Sequence, residues 1–150
     1  MSDIALVIKD NCFDVNVVKG DLERDGGLQT AVTISLFTER RVTDEQLPEL
    51  AESKKGWWGD MFPDVDQDLI GSRLWTLERE KRTTETLRLY EDFVREALNW
   101  LLEDGVASTI SVSAAYNSTG QLIGDIIITR PEGTESRFQT NWDEQSLKGV

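Results

Sequence analysis

Between Thr84 and Asp104 apolar residues recur every three or four positions: Leu87, Tyr90, Val94, Ala97, Leu98, Leu101 and Leu102. That period predicts a long amphipathic helix. Thr83 or Thr84 supplies its N-cap, and Glu85 falls in the first turn, where the helix dipole favours a carboxylate. Gly105 follows where a left-handed residue closes a helix. Beyond it the period drops to two. Val106, Ile110 and Val112, then Leu122, Ile126 and Ile128, predict one apolar side of a β-hairpin that turns at Asn117–Gly120. Pro131 and Gly133 close this unit. SRFQTNW (136–142) predicts a third strand, and residues 143–150 read as a tail.

The first half of the chain is patterned less strongly. IALVI (4–8) and FDVNVV (13–18) are short β-prone runs joined by Asp10–Asn11, which predicts a hairpin, and GDLERDGG (20–27) reads as a loop. Segment 28–38 fits two templates. Leu28, Ala31, Val32 and Leu36 make a helical face, whereas Val32, Ile34 and Leu36 alternate as a strand does. Residues 39–71 show little periodicity, and a loop of that length is generally functional or poorly ordered. SRLWTLEREKR (72–82) predicts a short helix capped by Ser72, with Leu74 and Leu77 inward. The whole is expected to be one α+β domain over residues 1–150: a small, mainly antiparallel sheet against a long helix and one or two shorter ones.

Charge and composition then remove function classes. The 150 residues carry a net charge of -12 with no basic cluster, so neither nucleic acid nor an acidic membrane surface is an expected partner. There is no histidine and one cysteine, Cys12. No intramolecular disulfide forms, and zinc sites and histidine-based catalysis are not expected. No stretch approaches the length of a membrane span, and the N-terminus lacks the basic start of a signal peptide. No cofactor is expected. Two acidic loops begin like EF-hands. After Asp64-x-Asp66-x-Asp68, Leu69 takes the glycine position and Trp75 that of the bidentate glutamate. Asp21-x-Glu23-x-Asp25-Gly26 keeps the glycine, but Val32 stands where the glutamate belongs. Both read as solvated loops. Paired carboxylates for glycoside hydrolysis have many candidates and no distinguishing spacing.

Two features point toward binding. Gly56-Trp57-Trp58-Gly59-Asp60 places two indoles between glycines inside the long loop. They are either core residues or anchors of an interface, where tryptophan is enriched. Trp75 and Trp100 are expected to pack inside. The hairpin has strand edges, and an unpaired edge accepts a strand from a partner. Gly124 and Asp125 are candidates for blunting one.

The segments GDLERDGGLQTAVTISLFTERRV, LPEL, GWWGD, IGSRLWTLEREKRTTETL and REALNWLLEDGVASTISVSA together resemble the Mu-like phage tail proteins of the gene product forty-six family, over about residues 20 to 142. That family is similar, more distantly, to the baseplate wedge and sheath-initiator proteins of contractile tails. In the wider group a helix ends in Glu-Pro-Arg and runs into a strand hairpin. Here only Glu103 matches; Asp104 and Gly105 replace the other two, so the arginine-dependent contact does not carry over. The resemblance implies that 28–37 is helical. It also implies a structural, non-enzymatic baseplate protein of the virion tail, assembled in the host cytoplasm, that joins wedge to hub and seeds the sheath by β-strand addition. Its partners would be wedge, hub and sheath proteins. Trp57, Trp58, Arg73, Trp75, Glu103, Asp104, Gly105, Ile126 and Ile128 are the interface candidates. A proline at Ile126 or Ile128 is then expected to block strand addition while the monomer folds. Two other readings stand beside this one: a tail-associated peptidoglycan hydrolase using two carboxylates, and an acidic adaptor unrelated to phage.

Overall fold

The computed structural model describes residues 3–150 apart from Asn11, Gly26, Leu50, Pro63, Val65 and Gln67. The chain starts with six short strands: β1 (Asp3–Ile4), β2 (Leu6–Lys9), β3 (Cys12–Val15), β4 (Val17–Val18), β5 (Asp21–Leu22) and β6 (Arg24–Asp25). They pair β2 with β3, β4 with β5 and β1 with β6, all antiparallel. Three passes of chain thereby share pairings around a triangle. The expected first hairpin is present. Asp10 takes φ 49° in its turn, and Asn11 lies outside the described residues. The expected loop at 20–27 is corrected. Lys19 and Gly20, both at positive φ, make a tight turn that lets 21–25 return as two strands.

Helix α1 (Gln29–Phe37) resolves the ambiguous segment in favour of the helix. Its residues are buried on more than one side, so no single apolar stripe marks it: Val32 and Leu36 enter the core while Thr30, Thr33 and Ser35 are also buried. Thr30 stitches the helix to the N-terminal strands. Its hydroxyl donates to the Ile4 carbonyl at 2.9 Å and accepts from the Leu6 N–H at 3.2 Å. Asp25 accepts from the N–H groups of Gly27 and Thr30, each at 2.7 Å. Its carboxylate thus serves the helix start, not a cation loop.

Residues 38–83 are mainly irregular, with short 3-10 turns at Asp44–Gln46, Trp58–Met61 and Leu74–Leu77. The helix expected over 72–82 is corrected to the last of these, a single 3-10 turn whose N-cap position is Arg73, not Ser72. Leu74 and Leu77 are buried, and the Ser72 hydroxyl accepts from the Leu74 N–H. Gly71 sits at φ 93° against Thr38, where any Cβ would lie 2.3 Å from the carbonyl oxygen. Only glycine permits the Glu39–Ser72 bridge that closes this long excursion.

Helix α2 (Thr84–Leu98) starts as expected, with the Thr83 hydroxyl accepting from the Thr86 N–H. It is shorter than expected. The chain breaks at Asn99 and resumes as one turn, α3 (Trp100–Glu103). Asn99 itself keeps helical dihedrals; Leu101 beyond it is buried and Leu102 exposed, while Phe93 joins the buried face. Gly105, at φ 70°, reverses the chain into β7 (Thr109–Tyr116). Then follow β8 (Leu122–Thr129), β9 (Glu135–Asn141) and β10 (Ser146–Gly149). The expected tail is corrected here, because β10 pairs antiparallel with β9 as the fourth strand. The sheet order is β10-β9-β8-β7. The helices cover one face. Along β8, Leu122, Gly124, Ile126 and Ile128 are buried under them, while Asp125 is exposed on the other face. Core and sheet are therefore one α+β layer pair, with Tyr90, Leu98, Leu101, Ile126 and Ile128 at its centre.

Candidate interaction surface

The sequence-predicted residues fall into three environments. Trp57 and Trp58 are on the surface. Gly56, at φ 105°, packs so closely on Arg41 that a Cβ would approach to 2.5 Å. It starts the 3-10 turn that presents the indoles. Gly59 lies beneath the Trp57 ring, where a Cβ would fall 2.1 Å from it. The two indoles lean together with centroids 5.3 Å apart. Trp58 is 72% exposed, and Met61 and Phe62, at 71% and 78%, extend the same turn. Four large apolar side chains in one short segment make a cluster that a folded chain would bury if its own core had room. Asp60 anchors the turn by accepting from the Ile70 N–H at 3.3 Å, and Asp64, Asp66 and Asp68 are exposed beyond it.

Arg73 and Trp75 are committed inside the chain. Arg73 Nη2 and Arg40 Nη1 reach the Glu96 carboxylate at 2.7 and 3.0 Å, joining the loop to α2. The Arg73 guanidinium also lies 4.3 Å from the Phe93 ring centroid. Trp75 is buried, and its indole N–H donates to the Arg40 carbonyl at 2.8 Å. Lys55, ion-paired with Glu39, covers its ring. Trp100, expected inside, is instead 37% exposed; its indole N–H donates to the Ser35 hydroxyl.

Glu103, Asp104 and Gly105 are exposed at the end of α3. Glu103 accepts from the Asn99 amide at 2.7 Å, and the Ala107 N–H returns to the Leu101 carbonyl at 2.8 Å. This is a helix-terminating arrangement, with the left-handed conformation at Gly105 as its chemical requirement. Ile126 and Ile128 are fully buried on β8, which is paired on both sides. Neither side chain meets solvent, and Gly124 and Asp125 blunt no edge. The sheet's edges are β7 and β10 instead.

An open cleft of about 490 Å³ separates the N-terminal strands from the body. Phe13, Phe37, Leu77, Tyr116 and Trp142 line it together with Glu78, Glu80 and Arg82. No group of three or more His, Cys, Asp or Glu is placed to hold a metal among the described residues. Nor is any helix there long and apolar enough to cross a membrane. Cys12 is exposed and unpaired. The strongly shifted acid is Tyr90, pushed up to about 12 by its burial in the core.

Sequence reasoning missed Met61 and Phe62, although they directly follow the tryptophan motif. It also missed Glu91 and Arg95. Their four-residue spacing marks a helix-surface pair, but their contacts with β7 leave no trace in the sequence.

What emerges is an α+β protein that displays an aromatic turn on an irregular excursion from its core. The model of the family described as phage protein GP46 matches residues 28–135. The baseplate protein gp46 of Escherichia phage Mu is 41% identical over 135 residues, which cover 89% of this chain and 91% of that protein. The Mu-like prophage FluMu protein gp46 of Haemophilus influenzae is 38% identical over 144 residues, 95% of this chain and 98% of the relative. The chain belongs to the GP46 family of phage proteins.

Proposed function

We propose that this chain is a structural, non-enzymatic baseplate protein of a contractile phage tail. In this reading residues 1–150 act as one domain that joins wedge to hub and seeds sheath assembly. It is assembled in the host cytoplasm and carried in the virion tail, with wedge, hub and sheath proteins as neighbours. The helices are the scaffold, and the sheet edge and the aromatic turn are the working surfaces. Among relatives, the Mu protein is named for the baseplate. The observation that carries the reading here is the exposed cluster of Trp57, Trp58, Met61 and Phe62, held outward by Gly56 and Gly59. Such side chains stabilise a complex by filling a partner's pocket.

Trp58→Ala is the direct test. Losing an anchor of this kind weakens association by ~2–4 kcal/mol. Tail assembly is expected to fail while the isolated protein melts as before, because Trp58 contributes little to the core. A lower melting temperature with intact assembly would return Trp58 to a folding role. Incubation with peptidoglycan addresses catalysis separately. Turnover that disappears with one Glu→Gln change would replace the structural reading with a hydrolase.

A further inference from the structure

An apolar face of the N-terminal hairpin looks across the open cleft at the body. In the β2–β3 register Ile8 stands opposite Phe13 and Leu6 opposite Val15, so the four side chains share one face. Ile8 and Phe13 line one wall of the cleft, and Phe37, Leu77, Leu122 and Trp142 line it from the body. Phe37 and Trp142 stack there, 10° from parallel, with ring centroids 6.1 Å apart. Leu77, Leu122 and Trp142 are buried, yet Phe13 and Val15 stay exposed. Two apolar walls therefore face each other across about 490 Å³ of open space, a volume within the range of ligand sites.

The rim supplies the charge. Arg82 is ion-paired with Asp143 at 2.8 Å, and Glu39 with Lys55. Glu78 and Glu80 are exposed on the rim and form no ion pair among the described residues. Arg79 and Lys81 alternate with them in sequence, and neither lines the cleft. The cleft thus offers an apolar floor beside two uncompensated carboxylates. Such a rim repels phosphate groups, so neither nucleic acid nor an anionic lipid fits it. The chain's own aromatic turn does not fit either. Exposed Asp64, Asp66 and Asp68 follow it and would set acid against acid.

We propose that this cleft is a peptide-binding site. Its occupant is an extended segment of a partner protein in which an aromatic or long aliphatic side chain stands next to a lysine or arginine. The apolar side chain lies between Phe13 and the Phe37–Trp142 stack, and the cation meets Glu78 and Glu80. The site is separate from the aromatic turn of the proposed function and stands without it.

The test titrates acetyl-Arg-Phe-Arg-amide into the isotope-labelled full chain and follows backbone amide shifts by nuclear magnetic resonance. Acetyl-Glu-Phe-Glu-amide and acetyl-Arg-Gly-Arg-amide control for the charge and for the apolar side chain. The first peptide is expected to move the signals of Phe13, Phe37 and Trp142, and the controls to leave them in place. Glu78→Gln combined with Glu80→Gln is expected to weaken binding about fivefold in low salt at unchanged melting temperature, since each exposed ion pair contributes modestly. Phe13→Ala is a second variant that keeps the charges, and it should also weaken binding. Equal binding of the glycine peptide would overturn the proposal, because only a charged surface would remain. Equal binding of the acidic peptide, or unchanged affinity in the double glutamine variant, would overturn the role of the rim. Signals that move at Trp57 and Trp58 instead would put the peptide on the aromatic turn and leave the cleft without an occupant. Phosphatidylglycerol vesicles that move the cleft signals would replace the peptide with a lipid surface. If no cleft signal moves at millimolar peptide, the proposal is wrong.

Discussion

Proline at Ile126 is expected to prevent folding, not to leave a folded monomer with a blocked edge. Ile126 lies in β8 opposite Val112 on one side and Phe138 on the other. Its side chain is fully buried at the centre of the helix–sheet core. The substitution removes a ladder donor from an interior strand and truncates a core side chain. The combined loss is ~4 kcal/mol or more, a large part of the stability of a domain this size. Ile128→Pro should behave alike. Far-ultraviolet circular dichroism and gel filtration of the purified variants decide the matter. A folded monomer with near-native melting would mean that β8 is not interior. The contrast with Gly149→Pro, in the edge strand β10, is informative because both remove one N–H from the same sheet. They differ in strand position and in packing: Ile126→Pro also empties a core site, whereas Gly149 has no side chain to lose.

That contrast shows where the sequence stops being legible. The helix and hairpin over 84–129 were readable because each buries one side, so burial leaves a period in the chain. α1 left an ambiguous pattern because it is covered on several sides and buries threonines and serine with its apolar residues. β10 was read as a tail because Ser-Leu-Lys-Gly is too short to show alternation, and its pairing depends on β9. Without β10 the hairpin would itself hold the free edge, and that is the premise on which Ile126 and Ile128 become interface candidates. The aromatic turn was visible from composition alone, since loops seldom carry paired tryptophans. Its outward direction was not, because it depends on contacts of Gly56 with Arg41 and of Gly59 with Trp57.

The second large effect is expected at Gly124, where valine, normally a favoured strand residue, should be strongly destabilising. A Cβ there would lie 2.5 Å from the Tyr90 hydroxyl and 2.7 Å from that of Thr140. These two hydroxyls hydrogen-bond to each other in the buried core, so neither is free to move aside. Overpacking of this kind costs ~1–3 kcal/mol, and the branched side chain puts Gly124→Val at the upper end. Tyr90→Phe removes one of the clashing atoms but leaves ring carbon Cε1 at 2.6 Å. The double variant should therefore recover part of the loss, with a coupling of ~1 kcal/mol in denaturant melts. Equal costs of Gly124→Val in the two backgrounds would show that the hydroxyl is not the obstacle. Tyr90 also carries a signature in pH. Burial chiefly raises its pKa to about 12, with the Asp125 charge adding to it and the Thr140 hydrogen bond opposing it. The folded state thus favours the neutral phenol more than the unfolded chain does. The associated stability is fully present below the ordinary tyrosine value of about 10 and is lost as pH rises toward 12. Tyr90→Phe should flatten that alkaline limb, and a limb of unchanged steepness in the variant would assign it to other groups.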